Sequence, residues 1–221
     1  MSAWCDPAPG RGPGASGGRF RAWPENEALE FYGAEKSPDG LGGLDVLKEW
    51  LRLRERAFGD AAREFRLPAP KGIALIGVPG TGRSLTAKMI GGLWRLPLPR
   101  LDVGALFGSL VGEPEERVRR ALRPAETVSL CALLWIDEVE KALGAGGRDG
   151  GTSQRVFGTV LTWMREKTAP VFVVATANDV SALTPGTLRR GRFDEVFFLD
   201  LPKTAFHGHT VFLDGRFPCA S

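Results

Sequence analysis

The chain has 221 residues, of which 25% are charged and 43% hydrophobic, so it is long enough and apolar enough to bury a core. These proportions exclude wholesale disorder and a miniprotein built on disulfides, and no run reaches the roughly 18 apolar residues of a membrane span. A net charge of +3 is too small to argue for nucleic acid, and three scattered cysteines with no apolar leader favour a reducing cytoplasm.

The first 70 residues differ in composition from the rest. Residues 1–24 are rich in glycine and proline and nearly lack aliphatic side chains, which predicts a disordered tail. Residues 25–70 predict a linker followed by an amphipathic helix over Leu44–Phe65, because apolar residues recur there at helical spacing. Pro68 is expected to stop that helix.

Beyond Lys71, apolar runs alternate with helix-forming segments. The runs are Ile73–Ile76, Leu98–Val103, Leu130–Ile136, Val171–Ala175 and Val196–Leu199. The helical segments are Ser84–Leu96, Glu115–Thr127, Ser153–Lys167 and Ser181–Arg189, and a glycine-rich loop is expected at Gly144–Gly151. Because the runs are largely apolar and lack the alternation of half-exposed strands, they are typical of strands buried on both faces of a parallel sheet. The pattern therefore predicts an α/β fold over residues 71–202.

A glycine-rich segment, Gly77–Ser84 (GVPGTGRS), follows the first of these strands. It matches the phosphate-loop pattern G-x-x-x-x-G-K-[ST] at every position except Arg83. Glycines let backbone N–H groups turn inward around an anion, the next helix points its positive end at the same place, and Ser84 offers a hydroxyl to Mg²⁺. A guanidinium is larger than an ammonium and favours two parallel contacts, so Arg83 predicts weakened binding and slow hydrolysis.

Polar residues also end the next strands. Asp137 and Glu138 follow the third strand, where Asp137 would support Mg²⁺, directly or through water, and Glu138 would orient and deprotonate an attacking water. Asn178 ends the fourth strand, where it either bonds the γ-phosphate or that water, or forms an Asx turn. Arg189 and Arg192 follow; they are either a solvated surface or, in an oligomer, fingers that reach a neighbour's nucleotide.

The set GVPGTGRS, LLWIDE, ATAND and LRRGRFDE resembles an AAA+ ATPase module over about residues 30–202. Within that family, stretches such as RLDVGALFGSLVGEPEERVR most resemble the uncharacterised AAA proteins of cyanobacteria and chloroplast reading frames and their relatives in other bacteria. The resemblance implies a P-loop NTPase fold, a three-layer α/β/α sandwich with a five-stranded parallel sheet. It also implies ATP and Mg²⁺ as cofactors and a homo-oligomeric ring, commonly a hexamer, that remodels or regulates a protein client in the cytoplasm or, in a photosynthetic eukaryote, the plastid stroma.

The resemblance also assigns site residues. Those implied to bind the nucleotide are Gly42, Gly77, Pro79, Gly80, Thr81, Gly82, Arg83, Ser84 and Leu85. The implied metal ligands are Ser84 and Asp137, and the implied catalytic residues are Glu138, the sensor Asn178 and the finger arginines Arg189 and Arg192. Ser109–Gly112 matches the loop that lines the pore of the ring; Leu110 stands where threading members commonly have an aromatic residue, which weakens the expected grip on a polypeptide.

Two departures leave an alternative open. Beyond Pro202 the resemblance ends, and residues 203–221 lack the helical periodicity of the lid expected in the family. Together with Arg83, this favours a degenerate nucleotide-binding or scaffold protein with little or no hydrolysis. A different P-loop enzyme fits less well: Asn178 and the arginine segment argue against a small-molecule kinase, and the absence of an N-K-x-D segment argues against a GTPase.

Overall fold

A computed structural model describes residues 29–33, 42–102, 114–126, 132–140, 150–178 and 192–201, and the backbone of three short strands between residues 204 and 217. The strands are Leu29–Tyr32 (β1), Gly42–Gly43 (β2), Gly72–Ile76 (β3), Leu98–Asp102 (β4), Ala132–Asp137 (β5), Val171–Ala177 (β6), Glu195–Leu199 (β7), Thr204–Phe206 (β8), His209–Phe212 (β9) and Asp214–Phe217 (β10). The α-helices are Asp45–Glu55 (α1), Asp60–Glu64 (α2), Arg83–Trp94 (α3), Pro114–Glu126 (α4) and Gly150–Glu166 (α5).

The main sheet has seven strands in the order β1-β4-β5-β6-β3-β7-β10. Its five inner strands are parallel, as predicted, and β3 lies between β6 and β7. The outermost strands, β1 and β10, pair antiparallel with β4 and β7. A second, three-stranded sheet holds β2, β9 and β8. The parallel core is therefore confirmed, and the structure adds an antiparallel strand at each edge.

Each inner strand supplies side chains to two separate cores. In β3, Ile73 and Leu75 pack with residues of α1 and α3, whereas Ala74 and Ile76 pack with residues of α4 and α5. Successive side chains of a strand point to opposite faces, so a strand that is apolar throughout needs a helical layer on each side. The predicted three-layer α/β/α arrangement is confirmed.

The predicted continuous helix over Leu44–Phe65 is wrong. α1 ends at Glu55, a 3₁₀ turn spans Arg56–Phe58, and Gly59 is extended (φ −69°, ψ 150°) before α2 begins. This break turns Phe58 into the core, where its ring lies 5.7 Å from that of Trp94 and 6.3 Å from that of Phe172. Burial of a large aromatic side chain stabilises the broken path more than one further helical turn would.

Several element ends also differ from the prediction. α5 begins at Gly150, so the last two residues of the predicted Gly144–Gly151 loop are helical. The backbone of the predicted tail, residues 203–221, forms β8, β9 and β10, and β10 joins the main sheet. The helix predicted at Ser181–Arg189 lies outside the described residues. Within the part of the chain that the structure describes, every helix falls short of the length and apolarity needed to cross a membrane.

The aromatic cluster around Phe172 generates a stability prediction. Phe172 is fully buried, and its ring packs against those of Trp50, Phe58 and Trp94 at centroid distances of 6.4, 6.3 and 4.7 Å. Phe172→Ala should lower the free energy of unfolding by about 3–5 kcal/mol, because it leaves a cavity between sheet and helices. Urea denaturation followed by circular dichroism measures the change.

Phe65→Ala is the matched control. Phe65 is 77% exposed, so the same substitution there should change the free energy of unfolding by no more than about 0.5 kcal/mol. Equal effects at the two positions would contradict the assignment of Phe172 to the core.

Candidate functional site

The loop between β3 and α3 depends on its glycines. Gly80 and Gly82 have φ angles of 92° and 76°, in the left-handed region where a β-carbon is strained. Gly77 lies so close to β7 that a β-carbon on it would sit 2.4 Å from the carbonyl oxygen of Leu199 and 2.7 Å from Oγ1 of Thr81. The loop is therefore folded tightly against the end of the neighbouring strand.

Two threonines hold the loop and the start of α3. Thr81 is fully buried, and its hydroxyl donates to the carbonyl of Val78 at 2.9 Å. The backbone N–H and the hydroxyl of Thr86 both donate to the carbonyl of Gly82, at 2.8 and 3.0 Å. The first turn of α3 is thereby fixed with its positive end toward the loop, an arrangement that suits an anion.

Arg83, the first residue of α3, reaches Asn178, the residue that follows β6. Its guanidinium donates to Oδ1 of Asn178, and the amide of Asn178 donates in turn to Oε1 of Glu140. Burial lowers the pKa of Arg83, while the carboxylates of Glu140, Asp137 and Glu138 oppose that shift. The residue that departs from the phosphate-loop pattern is thus half-buried and surrounded by negative charge.

Both carboxylate oxygens of Asp137 are bound by side chains from neighbouring strands. Oδ2 accepts hydrogen bonds from Nε and Nη2 of Arg100, at 3.0 and 2.7 Å, and Oδ1 accepts one from the hydroxyl of Thr176, at 2.5 Å. Arg100 comes from β4 and Thr176 from β6, the two strands that flank β5. The carboxylate is consequently held in one orientation at the end of β5.

The Thr176 hydroxyl connects two residues of β5, Trp135 and Asp137, with Glu138 in the turn that follows. It accepts hydrogen bonds from the indole N–H of Trp135, at 3.2 Å, and from the backbone N–H of Glu138, at 3.4 Å, while it donates to Asp137. Glu138 has a φ of 52°, which is sparsely populated by non-glycine residues and costs of order 1 kcal/mol. Thr176 thereby supports the strained turn from which the Glu138 side chain projects.

Arg100 is held by strand register. It lies opposite Glu30 in the β1–β4 pair and opposite Trp135 in the β4–β5 pair. Its Nη1 donates to Oε2 of Glu30 at 3.1 Å, and its guanidinium carbon lies 5.2 Å from the centroid of the Trp135 ring. Burial opposes the charge, but the carboxylates of Asp137 and Glu30 outweigh it and hold the pKa of Arg100 above its ordinary value.

The structure brings most of the predicted site residues together. Gly77, Pro79, Gly80, Thr81 and Gly82 form the loop, and Arg83, Ser84 and Leu85 the first turn of α3. Asp137, Glu138 and Asn178 end or follow β5 and β6, beside that turn. Gly42 lies in β2 of the second sheet, paired with β9, and Arg192 lies three residues before β7. Arg189 and Ser109–Gly112 lie outside the described residues.

Sequence reasoning missed three residues that shape the site. Arg100, Thr176 and Glu140 each contact a predicted site residue, Asp137 or Asn178. Arg100 and Thr176 are polar residues within largely apolar strands, which is the signal that could have found them, because a buried polar group needs a partner. Glu140 gave a weaker signal, since it stands among other charged residues after the strand.

The residues present fit a nucleotide phosphate and a magnesium ion. A β-carbon at Gly77 would collide with the Leu199 carbonyl and the Thr81 hydroxyl, so the tight loop requires glycine there. Ser84 and Asp137 supply the hard oxygen ligands that Mg²⁺ favours. Among the described residues no cluster of three or more His, Cys, Asp or Glu side chains forms a metal site. Mg²⁺ needs no such cluster, since it is commonly held by one or two carboxylates, water and the phosphates of the substrate.

Comparison with known proteins gives the family. Residues 73–201, more than half of the chain, match the family described as "ATPase family associated with various cellular activities (AAA)". The chain belongs to the AAA family. The matched segment of this AAA module begins in β3 and ends just after β7, so it contains the loop, the acidic residues after β5 and Asn178.

Curated relatives agree with this assignment. The AAA module is 53% identical to the "Uncharacterized AAA domain-containing protein ycf46" of Guillardia theta over 180 residues, which cover 80% of this chain and 35% of that protein. The ycf46 protein of Pyropia yezoensis is also 53% identical, over 80% of this chain and 36% of its own length. The "Peroxisomal ATPase PEX6" of Pichia angusta is 29% identical over 86% of this chain and 19% of its length. The chain therefore spans about a third of the length of the ycf46 proteins.

The comparisons confirm the predicted resemblance to an AAA+ module and to the uncharacterised chloroplast AAA proteins. The family is one of ATPases, so the AAA module is expected to use ATP.

The bonding of Thr176 predicts a matched pair of variants. Thr176→Val keeps the shape of the side chain but leaves the buried indole N–H of Trp135 without its acceptor, so it should lower the free energy of unfolding by about 1–3 kcal/mol. Thr176→Ser keeps the hydroxyl and should lose less. Thermal unfolding of the two variants beside the parent chain measures both; a Val variant as stable as the Ser variant would contradict the role of the hydroxyl.

Proposed function

We propose that the chain is an ATP-binding AAA+ module that hydrolyses ATP with Mg²⁺, in a ring-type assembly that remodels or regulates a protein partner. The observation that supports this best is convergence at one edge of the sheet. The phosphate loop after β3, Asp137 and Glu138 at the end of β5, and Asn178 after β6 meet around the first turn of α3. In parallel sheets, ligands bind beyond the carboxyl ends of the strands.

Each group has a chemical role in this proposal. The backbone N–H groups of the loop and of α3 hold the phosphates, and Ser84 and Asp137 would hold Mg²⁺. When bound, the ion neutralises charge on the phosphates. Glu138 orients the attacking water and takes its proton, and Asn178 donates a hydrogen bond to the γ-phosphate or to the water.

The contacts of Arg83 favour slow hydrolysis of ATP. Its guanidinium is hydrogen-bonded to Asn178 and interacts with the carboxylates of Glu140, Asp137 and Glu138, so it is directed at the proposed catalytic groups. ATP must compete with Asn178 for this guanidinium, and the amide N–H group of Asn178, which would donate to the γ-phosphate or the water, is itself bonded to Glu140. The same observation favours a second candidate, a degenerate nucleotide-binding or scaffold protein with little or no hydrolysis.

The assembly and its location are further parts of the proposal. In a ring, Arg189 and Arg192 would reach the nucleotide of the neighbouring subunit and stabilise the charge of the transition state. A hexamer of identical chains, acting on a protein client in the cytoplasm or the plastid stroma, is the arrangement that we propose.

Arg83→Lys tests the effect of the guanidinium. An ammonium is compact and does not present a two-pronged donor to Asn178, so it is free to bind the phosphates. One regained charge-assisted hydrogen bond is worth roughly 1.5 kcal/mol, so the affinity for MgATP should rise about tenfold. Titration calorimetry with a slowly hydrolysed ATP analogue measures the affinity, and phosphate release measures the turnover.

Glu138→Gln is the control for that experiment. It should retain nucleotide binding but lose hydrolysis, because an amide cannot take the proton of water. Family-like turnover in the unaltered chain would show that Arg83 fits the phosphates and would reject the second candidate. Binding without turnover in both the unaltered chain and the Lys variant would favour that candidate.

A mixing experiment tests the ring. Chains carrying Glu138→Gln lack the water-activating group, and chains carrying Arg189→Ala with Arg192→Ala lack the fingers, so each should be inactive alone. In an equal mixture, about a quarter of the sites would combine an intact Glu138 with a neighbour's intact arginines and regain turnover. A mixture as inactive as its components contradicts action in trans.

A further inference from the structure

The carboxylate assigned to magnesium is already paired with an arginine. Arg100 donates two hydrogen bonds to the same oxygen of Asp137, and the two side chains are only 24% and 11% exposed. A fixed guanidinium and a divalent cation compete for the charge of one carboxylate, and water screens this competition little when the groups are buried. The affinity of Asp137 for a cation must therefore depend on Arg100.

Arg100 is held in place from three directions. Glu30 on β1 accepts a hydrogen bond from Nη1, the Trp135 ring lies against the guanidinium, and Asp137 accepts from Nε and Nη2. Glu30 and Trp135 face Arg100 through the registers of two adjacent strand pairs. The guanidinium is thus fixed by the sheet itself, rather than by the flexible surface contacts of an ordinary salt bridge.

We propose that Arg100 is a positioning residue that makes cation binding at Asp137 depend on bound nucleotide. It fixes the orientation of the carboxylate and offsets its charge, so Asp137 alone binds a divalent ion poorly. The phosphates of bound ATP would add negative charge near Asp137, and the site would then hold a divalent cation more tightly. This inference rests on the proposed nucleotide site and adds to it a control on when the metal enters.

Glu30 acts on the same guanidinium from the other side. Its side chain is 58% exposed and accepts from Nη1 of Arg100, the nitrogen that Asp137 does not use. The Glu30 carboxylate therefore partly neutralises the positive charge that Arg100 presents to Asp137. Loss of Arg100 and loss of Glu30 should consequently change cation affinity in opposite directions.

Manganese binding to the full chain tests the proposal without any measurement of activity. Mn²⁺ alone, followed by the electron paramagnetic resonance signal of the free ion, is titrated into the nucleotide-free chain and into Arg100→Met, which keeps an apolar stem against Trp135. Removing a unit charge a few ångströms from a divalent ion should tighten binding about tenfold. Arg100→Lys keeps the charge and should restore weak binding, and adding Asp137→Asn to Arg100→Met should abolish the gain.

Glu30→Gln is measured with a slowly hydrolysed ATP analogue present, where Mn²⁺ binds more tightly. It should weaken Mn²⁺ binding about twofold, because Arg100 then acts on Asp137 unopposed. Since Glu30 is exposed, this variant also decides the matter if Arg100→Met fails to fold. Mn²⁺ affinity that is unchanged or weaker in Arg100→Met, or unchanged in Glu30→Gln, overturns the proposal. An unaltered chain that fails to bind the analogue instead overturns the nucleotide site itself, and the two failures are thus distinguished.

Discussion

Burial of the inner strands on both faces is the constraint on which the site depends. Because β3, β5 and β6 lie between two helical layers, their side chains are almost entirely apolar until each strand reaches its end. Polar and charged groups therefore gather where the strands end, and the loop after β3, Asp137 and Asn178 lie together at the carboxyl ends of these strands. The exceptions inside the layers, Arg100 and Thr176, are tolerated because each is fully engaged with a neighbouring strand.

Two arginines partly neutralise the acidic residues of the site. Acidic side chains after β5 are approached by guanidinium groups from two sides, Arg83 from α3 and Arg100 from β4. Arg100 contacts Asp137, whereas Arg83 reaches Asn178, which is itself bonded to Glu140. The site thus neutralises much of its own negative charge before any ligand enters. Nucleotide and cation must rearrange these contacts, so both the affinity for the ligands and the rate of hydrolysis depend on how easily the contacts change.

The sequence predicted the features that local pattern encodes. The five parallel strands follow from largely apolar runs that alternate with helical segments, and the phosphate loop follows from the spacing of Gly77, Gly82 and Ser84. Features that depend on partners distant in the chain were missed. Helical periodicity could not show that the burial of Phe58 would break the helix at Gly59, and β10 acquires its role only through pairing with β7. Arg100 was missed for the same reason, because the sequence of β4 alone does not show that Arg100 lies opposite Trp135. The roles of Arg189 and Ser109–Gly112 stay predictions.

The two antiparallel edge strands have a consequence for how the chain meets its own copies. A parallel sheet that ended at β4 and β7 would present rows of unpaired backbone groups, a template on which another polypeptide can add a strand and begin to aggregate. β1 and β10 cover those rows, and each has only four residues. The open edge that remains at either side is short, and short edges resist polymerisation. Crowded chains are thereby directed to associate through side-chain surfaces and away from fibrillar sheet extension.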